Sequence, residues 1–226
     1  KKLLALNQEA LIASGKSTPQ HSKEVVEHIS FTTDINDAKD TDFVTESVVE
    51  RLEIKHDFWG KLSAVVDEDI LLTTNTSGLS ITAIAEVVKC PERFVGMHWF
   101  NPPHIIPLIE VINGDKTDDA NAQAVYELAK KYGVTLCHEN EAKIYGDTPK
   151  YCRELLDAFG GDLKCVFDMG NFVLSGYDPL AAYDLLSDHI DYFHIKDALY
   201  ERAIVPAGKG EAMIAEILSR HLARQT

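Results

Sequence analysis

From about residue 29 onward, short apolar runs alternate with stretches of helical periodicity, and several runs are apolar at every position rather than every second one. A strand that is hydrophobic on both faces needs cover on both, which helices flanking a parallel sheet provide. The pattern predicts strands over Ile29–Thr32, Asp42–Glu46, Ile70–Thr74, Phe94–Trp99, Ile106–Ile112, Val134–His138, Leu163–Phe167 and Ile190–Ile195. It predicts helices over Leu3–Ser14, His21–His28, Val48–Val65, Ile81–Val88, Asp119–Tyr132, Thr148–Phe159, Pro179–Ser187 and Glu211–Arg224. Ser80 precedes one helix as a cap, Asp147-Thr148-Pro149 offers another a cap and an early proline, and Gly133 closes a third. The expected fold class is α/β, an open and mostly parallel sheet with helices on both faces.

The chain carries a formal net charge of −14, with a pI of about 5.0. A surface that negative repels phosphodiester backbones and anionic lipids, so neither nucleic acid nor a membrane is expected as a partner. It also opposes an anionic cofactor unless a local positive site offsets the field. The four cysteines, Cys90, Cys137, Cys152 and Cys165, form no C-x-x-C pair. They read as reduced, mostly buried thiols of a cytoplasmic protein. The apolar start of Lys1-Lys2-Leu3-Leu4-Ala5-Leu6 is cut short by Asn7, Gln8 and Glu9, so it reads as an amphipathic helix rather than a signal peptide. No apolar run approaches the ~18 residues needed to span a bilayer.

Polar residues gather at the ends of the expected strands, where α/β sheets collect reactive side chains. In the first half the segments are Glu46-Ser47-Val48-Val49-Glu50, Asn75-Thr76-Ser77-Gly78-Leu79-Ser80, Gly96-Met97-His98-Trp99-Phe100-Asn101-Pro102 and Leu108-Ile109-Glu110-Val111-Ile112. His98 could act as a general base if a carboxylate fixed its tautomer, and Glu110 on the next apolar run is a candidate for that partner. Ser77 offers a hydroxyl to a substrate oxygen. A lone histidine at a strand end also serves simply as a satisfied structural residue, and spacing alone leaves both roles open.

In the second half the segments are His138-Glu139-Asn140-Glu141, Asp168-Met169-Gly170-Asn171, His194-Ile195-Lys196-Asp197 and Gly208-Lys209-Gly210-Glu211. Two carboxylates and an imidazole on successive parallel strands can converge on a divalent cation, or can be no more than solvated charges at strand ends. Period-two alternation puts His194 and Lys196 on one face.

Taken together, the segments up to about residue 118 resemble the NAD-binding domain of the 3-hydroxyacyl-CoA dehydrogenases. That family's N-T-S-S, G-x-H-F-F-N-P and E-V-I motifs appear here with Gly78 for the second Ser and Trp99 for the first Phe. The resemblance implies His98 as the catalytic base, Glu110 as its carboxylate, Ser77 as a substrate contact, and Glu46 and Lys55 in the cofactor's region. It also implies that the strand over Ile106–Ile112 runs antiparallel, which argues against a closed barrel. Residues 1–35 hold no G-x-G-x-x-G turn to bind a pyrophosphate, and the family's helical C-terminal domain has no counterpart, so NAD affinity is expected to be weak or lost.

From about Tyr126 onward the chain resembles the C-terminal half of the xylose-isomerase-like barrels of the sugar phosphate isomerase/epimerase group. That likeness implies Glu139, Asp168 and His194 as ligands of a divalent metal ion. Asn171 stands where many members carry a histidine, the first half of the barrel is missing, and Thr226 precedes the strand expected to bring a fourth, acidic ligand. The expected organisation is a partial Rossmann segment over 1–118 joined to a half TIM barrel over 119–226, with the seam inside the helix of residues 119–133. The expectation is an engineered or recombined chimera without the full activity of either parent. A dehydrogenase and a metal-dependent sugar or keto-acid isomerase or epimerase are the alternatives. Bare sheet edges in both fragments predict a homodimer.

Overall fold

A computed structural model describes residues 2–142, 144 and 146–224. The chain divides into two compact units, Lys1–Leu128 and Ala129–Thr226.

The first unit opens with α1 (Lys2–Ala13) and α2 (Pro19–Glu27), the latter capped by Thr18, whose hydroxyl accepts from the backbone of His21. Then follow β1 (Phe43–Glu46), α3 (Leu52–Leu62), β2 (Leu71–Thr74), α4 (Ile81–Ala85), β3 (Phe94–Trp99) and β4 (Leu108–Asn113). Helix α5 (Asp119–Lys131) contains the division between the units. The strands lie in the order β1-β2-β3-β4, parallel except for the antiparallel β3–β4 pair. The core packs Trp59, Leu62 and Val66 against Leu72, Ile81, Ile84 and Phe94. Gly96 lets α4 approach the sheet, since a Cβ there would lie 2.7 Å from Ile81 Cδ1 and 2.9 Å from Ile112 Cβ.

The second unit continues with β5 (Thr135–Glu139), α6 (Pro149–Ala158), β6 (Leu163–Asp168), α7 (Met169–Leu174), α8 (Pro179–Leu186), β7 (Ile190–His194), β8 (Asp197–Leu199), β9 (Ala203–Val205) and α9 (Ile214–Arg224). Strands β5, β6 and β7 are parallel neighbours, with an irregularity in β6 between Cys165 and Val166. Phe167, fully buried, meets Phe172, Tyr183 and Phe193 in tilted and edge contacts. Strands β8 and β9 form a separate antiparallel hairpin.

The fold is therefore α/β and mostly parallel, as the apolar patterning predicts. The strand expected over Ile29–Thr32 is a correction: that stretch is irregular, and Ile29 and Phe31 are exposed. Among the described residues its alternating pattern has no neighbouring strand to pair with, and its apolar side chains stay largely exposed. Helix α3 begins four residues later than expected because the Glu46 carboxylate accepts from the backbone of Val48 and holds the chain in a turn.

Candidate functional site

In the first unit the cross-strand register sets His98 directly opposite Glu110. On an antiparallel pair, opposed residues share a face, so the two side chains meet. His98 Nδ1 and Glu110 Oε2 are 2.9 Å apart, with both side chains about one-sixth exposed. The carboxylate can only accept, so Nδ1 carries the proton and Nε2 is left as the basic nitrogen. The imidazole leans on Phe100 at 5.1 Å between ring centroids. His98 and Ser77 line one open cavity of about 380 Å³ together with Asn75, Trp99, Asn101 and Pro103.

The loop bearing Ser77 is pinned from two sides. Asn75 Oδ1 accepts from the Trp99 backbone N–H at 2.9 Å, which ties the loop to the strand of His98. Glu50 Oε1 accepts from the Thr76 hydroxyl and from the backbone N–H groups of Ser77 and Gly78. Burial raises the Glu50 carboxyl, but those three bonds and the Lys55 charge outweigh it and hold the group below its ordinary value. Glu50 lies within one of the polar segments of the sequence, yet nothing in its spacing marks it as the anchor of a loop 27 residues away.

Glu46 and Lys55, expected in the cofactor's region, are brought together with each other. Lys55 Nζ donates to both Glu46 oxygens at 2.8 and 3.1 Å, and both side chains are wholly buried. The Trp59 indole and the Thr74 hydroxyl also donate to Glu46. A buried ion pair needs such additional bonds to offset its desolvation. Neither residue lines the cavity of His98.

The described residues do not fit a whole dinucleotide. Between residues 2 and 42 they form two helices and a short 3-10 turn, with no strand–glycine turn–helix unit whose N–H groups could hold a pyrophosphate.

In the second unit Glu139 ends β5, Asp168 ends β6 and His194 ends β7, and one ligand atom from each lies within 4.8 Å of the other two. His194 Nδ1 and Glu139 Oε1 are 2.6 Å apart. The Glu139 hydrogen bond raises the His194 pKa against the effect of burial, and the Glu139 and Asp168 charges add to the rise. Asp168 is fully buried; its Oδ1 caps α7 by accepting from the Asn171 backbone. Its Oδ2 accepts no well-directed hydrogen bond, although Lys196 Nζ stands 2.9 Å away. Asn140 fixes the backbone of Asp168 through two bonds of 2.9 Å. Two carboxylates and an imidazole with an under-used buried oxygen are a donor set that fits a divalent cation.

Two of the buried cysteines are held as thiols. Burial and the Asp147 charge push Cys152 up to about 12, and burial pushes Cys165 well above its ordinary value.

Comparison with known proteins finds two family models along the chain. Residues 1–141 match the family model of the 3-hydroxyacyl-CoA dehydrogenase NAD binding domain, and residues 119–223 match that of the xylose isomerase-like TIM barrel. A 3-hydroxybutyryl-CoA dehydrogenase from Clostridioides difficile is 41% identical over 128 residues, covering 57% of this chain and 46% of that protein. The fatty acid oxidation complex subunit alpha of Idiomarina loihiensis is 47% identical over 102 residues, covering 45% of this chain and 14% of its own length. The solved 3-hydroxybutyryl-CoA dehydrogenase of Escherichia coli K12 superposes with a TM-score of 0.58 at 31% identity, over 69% of this chain and 35% of that one. The chain thus spans less than half the length of these relatives.

Proposed function

The chain belongs to the 3-hydroxyacyl-CoA dehydrogenase family through its NAD-binding domain, and from that premise we propose that it is an engineered or recombined α/β protein carrying two partial active sites. The first holds the dehydrogenase acid–base pair, with no dinucleotide-gripping glycine turn among the described residues. The second retains the cation ligands of an isomerase-like barrel. The observation that carries the proposal is the His98–Glu110 bond beside Ser77 in one cavity.

The family's cofactor, NAD, supplies hydride acceptance when bound. What this chain's own residues do is narrower. His98 Nε2 takes the proton of a substrate hydroxyl, or returns it to a carbonyl oxygen, while Glu110 stabilises the imidazolium through Nδ1. Ser77, held by Glu50, presents a hydroxyl to the same substrate oxygen.

NADH oxidation with acetoacetyl-CoA tests the proposal. A slow rate is expected, one that His98→Ala lowers by a further factor of roughly 10²–10⁴. A rate indistinguishable from buffer, or one that survives His98→Ala, removes the dehydrogenase chemistry. Turnover in the ordinary enzyme range of about 1–10³ per second would remove the claim that the site is partial.

A second reading rests on the 4.8 Å cluster of Glu139, Asp168 and His194. Those residues would hold a divalent cation, which would polarise the oxygens of a sugar or keto-acid for proton transfer between neighbouring carbons. Metal analysis of dialysed protein against Asp168→Ala decides it, because equal metal content in both removes the site.

A further inference from the structure

We propose that Lys196 is a built-in competitor for the cation of the second site, its ammonium filling the Asp168 side of the ligand cluster and having to leave before a divalent ion is held. The inference rests on the reading of Glu139, Asp168 and His194 as cation ligands.

A carboxylate with no exposure must be neutralised by a partner. Asp168 Oδ1 already accepts from the first turn of α7, whereas Oδ2 accepts no hydrogen bond and is the oxygen left for a partner. The positive charge that does so is Lys196 Nζ at 2.9 Å. The same nitrogen donates to Asn171 Oδ1 at 2.8 Å, and Asn171 is turned to receive it because its own Nδ2 donates to the Asn140 carbonyl. The ammonium is thereby held at the cluster rather than lying there loosely.

The path of the lysine is also built. Gly170 lies beneath it, and a Cβ at that position would come within 2.8 Å of the Lys196 carbonyl oxygen and 2.9 Å of its Cγ. The stem therefore crosses the start of α7 only because residue 170 has no side chain. The Lys196 side chain is still one-third exposed, which gives its charged end a way out to solvent. An ammonium and a divalent ion cannot share one carboxylate oxygen without strong repulsion, so each excludes the other.

Mn²⁺ binding to the full chain, measured by calorimetry for wild type, Lys196→Met, Lys196→Gln and Asp168→Asn, tests this. Lys196→Gln keeps a donor for Asn171 and guards against a folding failure in Lys196→Met. Both lysine variants are expected to bind Mn²⁺ at least about tenfold more tightly than wild type, since the competing charge is gone. Their melting temperatures should also rise more with Mn²⁺ than that of wild type, and Asp168→Asn should not bind. Equal affinity in wild type and lysine variants, lost in Asp168→Asn, overturns the competitor role and leaves the cation site standing. Failure of wild type and both folded lysine variants to bind overturns the cation reading and this inference with it.

Discussion

Asp197 draws in the turn after β9 through its carboxylate. Its Oδ2 accepts from the backbone of Gly208 and Gly210 at 2.8 Å, and its Oδ1 accepts from Ala198 and Ala212. Burial raises its carboxyl, but these four donors outweigh that and hold it below the ordinary value of 3.8. A depressed folded value contributes stability that is complete above the unfolded value and lost as pH falls through the folded one. Asp197→Asn places an amide where two N–H donors already point, and is expected to cost about 1–3 kcal/mol near neutrality. The gap between wild type and variant should narrow as the pH drops below about 4. Denaturant unfolding across pH 3 to 7 measures it, and parallel stability curves would show that Asp197 carries no charge-dependent stability.

At the scale of elements, apolar patterning located β1–β7 to within two residues at either end, most plainly for β3 and β6, where burial on both faces dominates the segment. The elements that patterning missed are short. Helix α7 begins at once after β6 because the Asp168 side chain caps it, and the β8–β9 hairpin curls around Asp197. Neither has enough length to show a period. The packing of α4 on the sheet offers a direct check. Gly96→Val would drive a branched side chain into Ile81 and the Ile112 backbone, and is expected to destabilise by about 1–3 kcal/mol through overpacking. Thermal unfolding reads this, and an unchanged midpoint would mean that α4 shifts freely away from β3.

At the scale of the whole molecule, each unit has a core and a candidate site of its own. The two family matches overlap across residues 119–141, and the division between units falls between Leu128 and Ala129 within α5. A helix that leads into a strand is a local arrangement both matched families can share, and no linker composition marks the overlap. No helix among the described residues is long and apolar enough to cross a membrane. Strand β1 stands at the edge of its sheet, and an unpaired edge is a template for another strand. We expect the chain to form dimers through such edges. Sedimentation equilibrium should show mass rising with concentration, and a single monomer mass at every concentration would sink the idea.

Residue identity by itself determined the α/β class and the two motif families, and it named His98 with Glu110 and Glu139 with Asp168 and His194 as groups. The class follows from apolar period, and the two groups follow from the resemblance of local motifs to known families, both of which are carried by the sequence whatever surrounds them. Only tertiary structure decided that Glu46 and Lys55 neutralise each other in the core, that Glu50 anchors the Ser77 loop, and that Lys196 reaches Asp168. Each of those pairings depends on which polar groups burial leaves without water, and a side chain's partner in the interior is set by three-dimensional neighbours rather than by distance along the chain.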